Sequence, residues 1–161
     1  MKTLYLVRHA KSSRDAPALA DRDRPLNDRG EREAPAMAQR LAARGVAPER
    51  LLSSPAKRAL ATATHFADAF GIAHRKIVVD ERLYAGSAGG LLAVIRSLDE
   101  RLRDVMLFGH NPEFSDLAGR WSGQCVDLPT CAVVELHFDI ARWAEIGAAA
   151  AGNSKIHKPK D

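Results

Sequence analysis

Residues 4–13 read LYLVRHAKSS, and this stretch decides how the fold begins. Its first four residues are apolar and of a kind that favours a buried β-strand, and they run directly into Arg8 and His9. Burying polar groups of this kind costs free energy unless they are paired. The stretch therefore predicts a strand over residues 3–7 that ends where these two side chains meet a binding partner.

Short β-rich runs alternate with helical patterns along the rest of the chain. Strands are predicted over residues 50–54, 76–80, 104–109 and 131–138, with a last one near residues 142–146. Helices are predicted over residues 28–44, 56–70, 87–102 and 112–121. This alternation is typical of an α/β fold, here a three-layer α/β/α sandwich with a mostly parallel central sheet.

The chain has 161 residues, a length that suits one domain, which we predict over residues 1–150. Its hydrophobic content of 46% is enough for a core. Residues 151–161 are polar and carry several lysines, a composition that predicts a flexible C-terminal tail. The two cysteines, Cys125 and Cys131, do not suggest a disulfide framework and are expected to be buried free thiols.

Composition and charge also limit the class of protein. No apolar run approaches the roughly 18 residues that indicate a membrane-spanning helix, and the N-terminal apolar run is too short for a signal peptide. These features predict a cytoplasmic protein with no membrane partner. The positive charge is concentrated in residues 1–60, a distribution that attracts anions such as phosphate or nucleic acid. Nucleic acid is disfavoured, because Tyr5 is the only aromatic residue before Phe66 and a stacking surface is missing among the basic residues.

Ionisable residues follow four of the predicted strands at the point where each strand ends. Arg8 and His9 follow the first strand, and Arg58 lies about one turn into the helix after the second. Glu81 follows the third strand and His110 the fourth. Ligands of such sheets bind at the carboxyl ends of the strands, so we expect these side chains to meet there. Phosphate suits them best, because guanidinium groups make forked contacts with phosphoryl oxygens and a neutral imidazole is a nucleophile near neutral pH.

Three motifs in this order, LVRHA, SSPAKRALAT and GHNP, resemble the signature of the histidine phosphatase superfamily. The phrases RHAKSS and RPLNDRG, together with the small size, resemble its SixA-type phosphohistidine phosphatase branch most closely. The resemblance covers roughly residues 3–138. One departure is Ala10, which stands where the family usually has glycine. Alanine tolerates fewer backbone conformations, so the loop after His9 is expected to differ slightly.

The resemblance implies a role for each residue that matches the motifs. His9 would be the nucleophile and carry a transient phosphoryl group, which water then releases as inorganic phosphate. Three side chains, those of Arg8, Arg58 and His110, would bind the phosphoryl oxygens and stabilise charge in the transition state.

Four further residues are candidates for the same site. Backbone amides near Asn111, at a helix N-terminus, are expected to assist phosphate binding, and Ser12 and Ser13 to contribute hydroxyl donors. The segment DERLY resembles the Asn-Glu-Arg-His-Tyr segment of the family's mutases, which would make Glu81 the acid that protonates the leaving oxygen. The alternative is that Glu81 only caps its turn or forms an ion pair there.

The leading functional hypothesis is a phosphatase that acts on phosphohistidine in proteins or on a small phosphoester, with inorganic phosphate or sulfate binding in the site. Phosphoglycerate mutase activity uses the same chemistry, but the family's mutases carry long insertions for which this chain has no room. A basic nucleic-acid-binding module is the alternative from a different class. We expect no cofactor and no metal, because the sequence has neither a helical His-x-x-x-His motif nor a Cys-x-x-Cys pair.

Overall fold

The computed structural model describes residues 1–147 and 151–160. The strands are β1 (Lys2–Arg8), β2 (Arg50–Ser53), β3 (Val78–Val79), β4 (Asp104–Gly109), β5 (Val133–Phe138) and β6 (Asn153–His157). The α-helices are α1 (Asp28–Ala43), α2 (Lys57–Phe70), α3 (Ala88–Arg96) and α4 (Glu113–Ser122). Single turns of 3-10 helix lie at Asp21–Asp23, His74–Lys76, Glu81–Leu83 and Trp143–Glu145.

The strands form one sheet in the order β3-β2-β4-β1-β5-β6. β1 to β4 are parallel, whereas β5 runs antiparallel to β1 and β6 runs antiparallel to β5. Because side chains alternate between the faces of a strand, β1 sends Leu4 and Leu6 into one core and Tyr5 and Val7 into the other. α3 and α4 cover the first face, and α1 and α2 cover the second. This arrangement confirms the predicted α/β/α sandwich with a mostly parallel sheet.

Three predicted elements are shorter by two or more residues in the structure, and the smallest of these differences is at β5, which begins at Val133 rather than at residue 131. α3 ends at Arg96 rather than near residue 102, because the Asp99 carboxylate accepts the Arg101 N–H at 2.9 Å and the chain turns there. Leu98 and Leu102 still pack in the core, which is why the apolar pattern continues past the end of the helix. The strand predicted over residues 76–80 is reduced to β3, an exposed edge strand that a 3-10 turn precedes.

The C-terminal segment corrects two further predictions. The strand predicted near residues 142–146 is a 3-10 turn, because the buried Trp143 indole N–H donates to the Leu102 carbonyl oxygen at 2.8 Å. Residues 153–157, predicted as part of a flexible tail, form β6 on the sheet that contains β1. Their side chains are mostly exposed, so the segment lacks an apolar pattern. It is held in the sheet by main-chain pairing with β5 and by the contact of His157 Nε2 with Glu135 Oε1 at 3.1 Å.

Hydrogen bonds beyond the strand ends keep three site-bearing segments side by side. The His9 N–H donates to the Gly109 carbonyl oxygen at 3.0 Å, and the Ser54 N–H donates to the Phe108 carbonyl oxygen at 3.0 Å. The segments that follow β1, β2 and β4 therefore leave the sheet together. This is the edge at which the sequence predicted the functional residues.

Two smaller findings bear on the composition-based expectations. Among the described residues, no helix is long and apolar enough to cross a lipid bilayer. Both cysteines are free, but only Cys131 is buried. The expectation of a buried thiol is wrong for Cys125, which lies exposed in the loop that follows α4.

Candidate active site

His9 lies directly beyond the end of β1, and the residue is only 7% exposed. Its ring atom Nδ1 lies 2.7 Å from the carbonyl oxygen of Ala10. A carbonyl oxygen can only accept a hydrogen bond, so Nδ1 carries the proton and Nε2 carries the lone pair. Burial lowers the pKa of His9 to about 3, and the positive charges of Arg58 and Arg8 act in the same direction. At neutral pH the ring is thus an uncharged imidazole with a defined tautomer.

The loop after His9 accommodates alanine at the position where the family usually has glycine. Ala10 is fully buried, and its N–H donates to the hydroxyl oxygen of Thr62 on α2 at 3.0 Å. Among the described residues, the non-glycine positions with positive φ are Ala85 and Cys131, so Ala10 does not require the left-handed conformation that favours glycine. The substitution therefore brings no backbone strain at this point.

His110 follows β4 and faces His9, with 5.1 Å between the ring centroids. Its Nε2 lies 2.8 Å from the Ser54 hydroxyl oxygen, and its Nδ1 lies 3.5 Å from Nη2 of Arg58. Because a guanidinium nitrogen can only donate, Nδ1 is the acceptor and Nε2–H donates to Ser54. Burial and, as a smaller effect, the positive charge of Arg58 lower the pKa of His110 to about 4. Both histidines in the site are therefore neutral.

Arg58 enters the site from the first turn of α2 and is engaged by a turn of the loop between β1 and α1. Its Nη1 donates to the carbonyl oxygen of Asp21 at 2.7 Å, and its Nη2 donates to Oδ2 of the same residue at 3.0 Å. The hydroxyl of Tyr84 donates to that oxygen at 2.7 Å, and Arg24 donates to Oδ1 at 3.0 Å. The Tyr84 hydrogen bond and the Arg58 charge hold the pKa of Asp21 well below its usual range.

Arg8 leaves part of its guanidinium group unsatisfied. Its Nη1 donates to the Leu128 carbonyl oxygen at 2.8 Å. The Nε–H groups of Arg8 and Arg58 are buried and have no hydrogen-bond partner among the described residues. A buried donor without a partner costs free energy, so unpaired donors on both arginines indicate a site that a bound anion completes.

These side chains line a pocket of about 200 Å³ at the carboxyl edge of the sheet. Its walls are formed by Arg8, His9, Asp21, Arg58, Tyr84, Ala85, His110, Asn111 and Glu113. Five of the residues predicted from the motifs therefore come together. Asn111 lines the pocket, but its side chain is already engaged, with Nδ2 donating to the Leu128 carbonyl oxygen at 3.0 Å.

Three predicted residues lie outside the walls of this pocket. The Glu81 side chain is 71% exposed, and its carboxylate forms an ion pair with Arg22 at 3.2 Å. The Ser12 hydroxyl oxygen accepts a hydrogen bond from Arg24 Nη1 at 2.9 Å. The Ser13 hydroxyl oxygen accepts the N–H of Asp15 at 3.1 Å, a local turn contact. The ion pair of Glu81 matches the alternative interpretation given for it above.

Four residues of the pocket wall were not predicted from the sequence, namely Asp21, Tyr84, its neighbour Ala85, and Glu113. Asp21 lies in a charged loop whose path the sequence does not fix. Tyr84 belongs to the DERLY segment and packs edge-on against His110 with 5.6 Å between ring centroids, a contact that the motif alone does not indicate. Glu113 follows GHNP directly, so its proximity to His110 along the chain was the available signal.

Within the described residues, we find no group of three or more His, Cys, Asp or Glu side chains arranged to hold a metal ion. The chemistry offered by the site is that of a neutral imidazole nucleophile beside two arginines. Such a set can bind a tetrahedral anion and attack it.

Comparisons with known proteins identify the family to which the chain belongs. The family model of the histidine phosphatase superfamily (branch 1) matches residues 4–109. An uncharacterized chloroplastic protein of Arabidopsis thaliana is 30% identical over 152 residues, which cover 89% of this chain and 70% of the relative. An uncharacterized protein of Mycobacterium tuberculosis is 34% identical over 165 residues, which cover 96% of this chain and 100% of the relative.

Solved structures extend the similarity. A crystal structure from Agrobacterium tumefaciens, designated a candidate phosphohistidine phosphatase SixA, has a TM-score of 0.78 and 32% identity, and covers 85% of this chain and 92% of that one. The protein histidine phosphatase SixA in complex with tungstate has the same fold, with a TM-score of 0.79 at 24% identity over 98% of this chain and 97% of that one. The chain therefore belongs to the histidine phosphatase superfamily and is of the SixA type, which confirms the family that the motifs indicated. This membership places it among the phosphatases.

Proposed function

We propose that the protein hydrolyses phosphohistidine in other proteins through a covalent phosphoryl intermediate on His9. One observation carries the proposal: a neutral imidazole with its lone pair on Nε2 shares a pocket with two arginines whose buried Nε–H groups have no partner among the described residues. A phosphoryl group supplies both the electrophile for the imidazole and the acceptor oxygens for the guanidinium groups.

The reaction has two steps. First, Nε2 of His9 attacks phosphorus, a P–N bond forms, and the bond from phosphorus to the leaving atom breaks, so that the leaving group keeps the electron pair and takes up a proton. Second, water attacks the phosphorus atom, loses a proton to a base, and the P–N bond to His9 breaks with release of inorganic phosphate. Arg8 and Arg58 stabilise the charge on the phosphoryl oxygens in both steps.

His110 changes its role when the anion binds. In the structure its Nδ1 lies 3.5 Å from Arg58 Nη2, and the positive charge of Arg58 is one reason for its low pKa. A phosphoryl group adds negative charge beside the ring, which raises the pKa of His110 and favours a proton on Nδ1. The ring can then donate from Nδ1 to a phosphoryl oxygen while Nε2–H stays bonded to Ser54.

The size of the site supports a substrate that presents its phosphoryl group from outside. The pocket of about 200 Å³ lies at the sheet edge and has room for a phosphoryl group with the ring or alcohol bonded to it. The rest of a larger substrate must therefore lie on the surface, as it does for a side chain of another protein. The similarity to SixA structures supports phosphohistidine as that side chain.

Hydrolysis of a small phosphoester is the second candidate, and the presence of Glu113 in the pocket wall favours it. An alkoxide leaves poorly without a proton, so a carboxyl group at this position is more useful for an ester than for a phosphoramidate. A substrate panel separates the two candidates.

The test compares release of phosphate from a phosphohistidine protein, an aryl phosphate, sugar phosphates, nucleotides and phosphoglycerate. We expect the highest kcat/KM for the phosphohistidine protein and no change on addition of a chelator. The kcat/KM of His9→Ala should be at least about a thousandfold lower than that of the wild type, since the substitution removes the attacking atom. His65→Ala serves as the matched control, because that histidine pairs with Glu31 away from the pocket.

The covalent step is tested by rapid alkaline quenching of the wild type during turnover. An acid-labile phosphoryl group on His9 is expected, and it should be missing from His9→Ala. Full activity of His9→Ala, or loss of wild-type activity on chelation, would overturn this mechanism. A preference for a small ester over the protein substrate would favour the second candidate.

A further inference from the structure

The pocket wall contains two carboxyl groups, Asp21 and Glu113, and their surroundings differ sharply. Asp21 accepts hydrogen bonds from Tyr84, Arg58 and Arg24, which keep it ionised. Glu113 forms no ion pair with any Lys, Arg or His among the described residues and is partly buried. Two carboxyl groups that share a pocket but differ in this way are suited to opposite roles in proton transfer.

We propose that Glu113 is the acid that protonates the leaving group, a role that rests on the phosphatase activity proposed above. It lies three residues after His110, at the first position of α4, and it lines the same pocket as His9 and Arg58. Glu81, the residue that the sequence motif indicated for this role, points its carboxylate at Arg22 and lies outside that wall.

The position of Glu113 is fixed by contacts on both sides. The Phe114 N–H donates to the His110 carbonyl oxygen at 3.1 Å, and the Asn111 Oδ1 atom accepts the Ser115 hydroxyl at 2.7 Å. A Cβ atom added to Gly109 would lie 2.6 Å from the Phe114 ring, so that ring packs directly against the end of β4. The start of α4 is therefore held against the segment that carries His110, and a site on such a rigid element is well positioned.

The protonation state of Glu113 agrees with its placement. Burial raises the pKa of the Glu113 carboxyl group, and the nearby Asp116 carboxylate raises it further, while a hydrogen bond from its own backbone N–H acts in the opposite direction. Bound phosphate adds negative charge and raises the pKa again. A larger fraction of the carboxyl group is then protonated when substrate is present, as an acid catalyst requires.

The proton balance of the cycle is complete with this residue. As the bond from phosphorus to the leaving oxygen or nitrogen breaks, the electron pair goes to the leaving atom and the proton of Glu113 goes with it. The resulting carboxylate then takes a proton from the water that attacks the phosphoryl group on His9. Phosphate leaves, and Glu113 returns to its protonated form for the next turnover.

Glu113→Gln tests the proposal, because it keeps the shape of the side chain and removes the acid. The quantity measured is kcat/KM, which depends only on the steps up to loss of the leaving group. For an alkyl phosphate, whose alkoxide leaves poorly, we expect a loss of about a hundredfold or more. For 4-nitrophenyl phosphate, whose leaving group needs no proton, we expect a loss of less than about threefold.

Glu31→Gln is the matched control, because Glu31 also lies in the first turn of a helix and pairs with His65 far from the pocket. The kcat/KM of this variant should equal that of the wild type for both substrates. Glu81→Gln tests the competing assignment. Our proposal would be overturned if Glu81→Gln, and not Glu113→Gln, lowered kcat/KM selectively for the alkyl phosphate. Equal losses on both substrates in Glu113→Gln would overturn it too, since they would indicate a structural role.

Two further readouts keep the proposal separate from the function on which it rests. Glu113→Asp should recover part of the alkyl phosphate activity, and the alkaline decline of kcat/KM for that substrate should disappear in Glu113→Gln but persist in wild type. If wild type is inactive, or if His9→Ala is active, the proposed function fails. If wild type depends on His9 and Glu113→Gln shows no selectivity between substrates, only the role of Glu113 fails.

Discussion

At the scale of single residues, the two histidines of the pocket are neutral because of where they lie. Both rings are buried beside Arg8 and Arg58, so desolvation and positive charge disfavour a second proton on either ring. The hydrogen bond from His9 Nδ1–H to Ala10 then determines which nitrogen carries the lone pair. The same groups that we propose for phosphoryl binding thus keep the proposed nucleophile unprotonated over the physiological pH range.

This protonation state predicts how stability depends on pH. In the unfolded chain a histidine has a pKa of about 6.5, whereas the folded values are about 3 for His9 and about 4 for His110. Between these limits the unfolded state binds more protons than the folded state. The free energy of unfolding should therefore fall as the pH falls below about 6.5, by up to about 1.4 kcal/mol per pH unit for each histidine.

Urea unfolding of wild type and His9→Asn between pH 4.5 and 7.5 measures this dependence. Asparagine retains an N–H donor for the Ala10 carbonyl oxygen but does not titrate. Between pH 6.5 and 5, the free energy of unfolding of the variant should therefore fall by about 1–2 kcal/mol less than that of the wild type. His65→Asn, at a partly exposed position outside the pocket wall, is the control variant. Parallel curves for wild type and His9→Asn would show that His9 is not held neutral by the fold.

At the scale of elements, the turn Asp21–Asp23 places an anion of the protein itself beside the phosphoryl site. Both Nη atoms of Arg58 donate to Asp21, one to its carbonyl oxygen and one to its carboxylate. In the proposed function, the substrate phosphoryl group would bind next to this negative charge and share the same guanidinium group. We therefore expect the loop between β1 and α1 to affect how tightly the pocket binds anions, although no motif residue lies in the turn.

Asp21→Asn should bind inorganic phosphate more tightly than wild type. One unit charge at about 4 Å contributes roughly 1–4 kcal/mol at effective dielectric constants between those of water and a protein surface. Removing it should lower the inhibition constant of phosphate by about tenfold, the effect of about 1.4 kcal/mol. Competitive inhibition of aryl phosphate hydrolysis at fixed pH measures the change.

Asp23→Asn is the control for this experiment, because Asp23 lies in the same turn but outside the pocket wall. It should leave the inhibition constant within about twofold of wild type, as expected for a screened surface charge. Weaker phosphate binding in Asp21→Asn would contradict the prediction, and would mean that Asp21 acts mainly by holding Arg58 in position.

At the scale of the whole molecule, the sequence predicted the sandwich because its central strands are buried. β1 and β4 read as continuous apolar runs, and α1 and α2 have clear apolar faces. β6 could not be predicted in this way, since its side chains are mostly exposed and its contribution lies in main-chain pairing. The end of α3 was placed too late because Leu98 and Leu102 continue the apolar spacing into a turn.

The candidate site likewise contains residues that the sequence could predict and residues that it could not. The residues at the strand ends were predictable, because parallel topology fixes where the ends of β1, β2 and β4 meet. Asp21 and Tyr84 reach the pocket from loops, whose paths depend on tertiary contacts rather than on spacing. Glu81 was given a role through a short motif, and only the fold reveals that its carboxylate meets Arg22 whereas Glu113 lines the pocket.

The antiparallel edge formed by β5 and β6 should contribute measurably to global stability. Deleting residues 153–161 removes β6, breaks its main-chain pairing with Val133–Phe138 and removes the His157 contact with Glu135. Each lost hydrogen bond is worth about 0.5–1.5 kcal/mol net, so the loss of several should lower Tm by at least about 5 °C.

Deleting only residues 160–161 is the control for this experiment. This deletion keeps β6 and the Lys158 carbonyl that accepts from Arg40 Nη2 at 2.6 Å, and it should leave Tm nearly unchanged. Thermal unfolding followed by circular dichroism compares the three proteins, and equal Tm values for the longer deletion and the full chain would show that the edge strand adds nothing to the stability of the sheet.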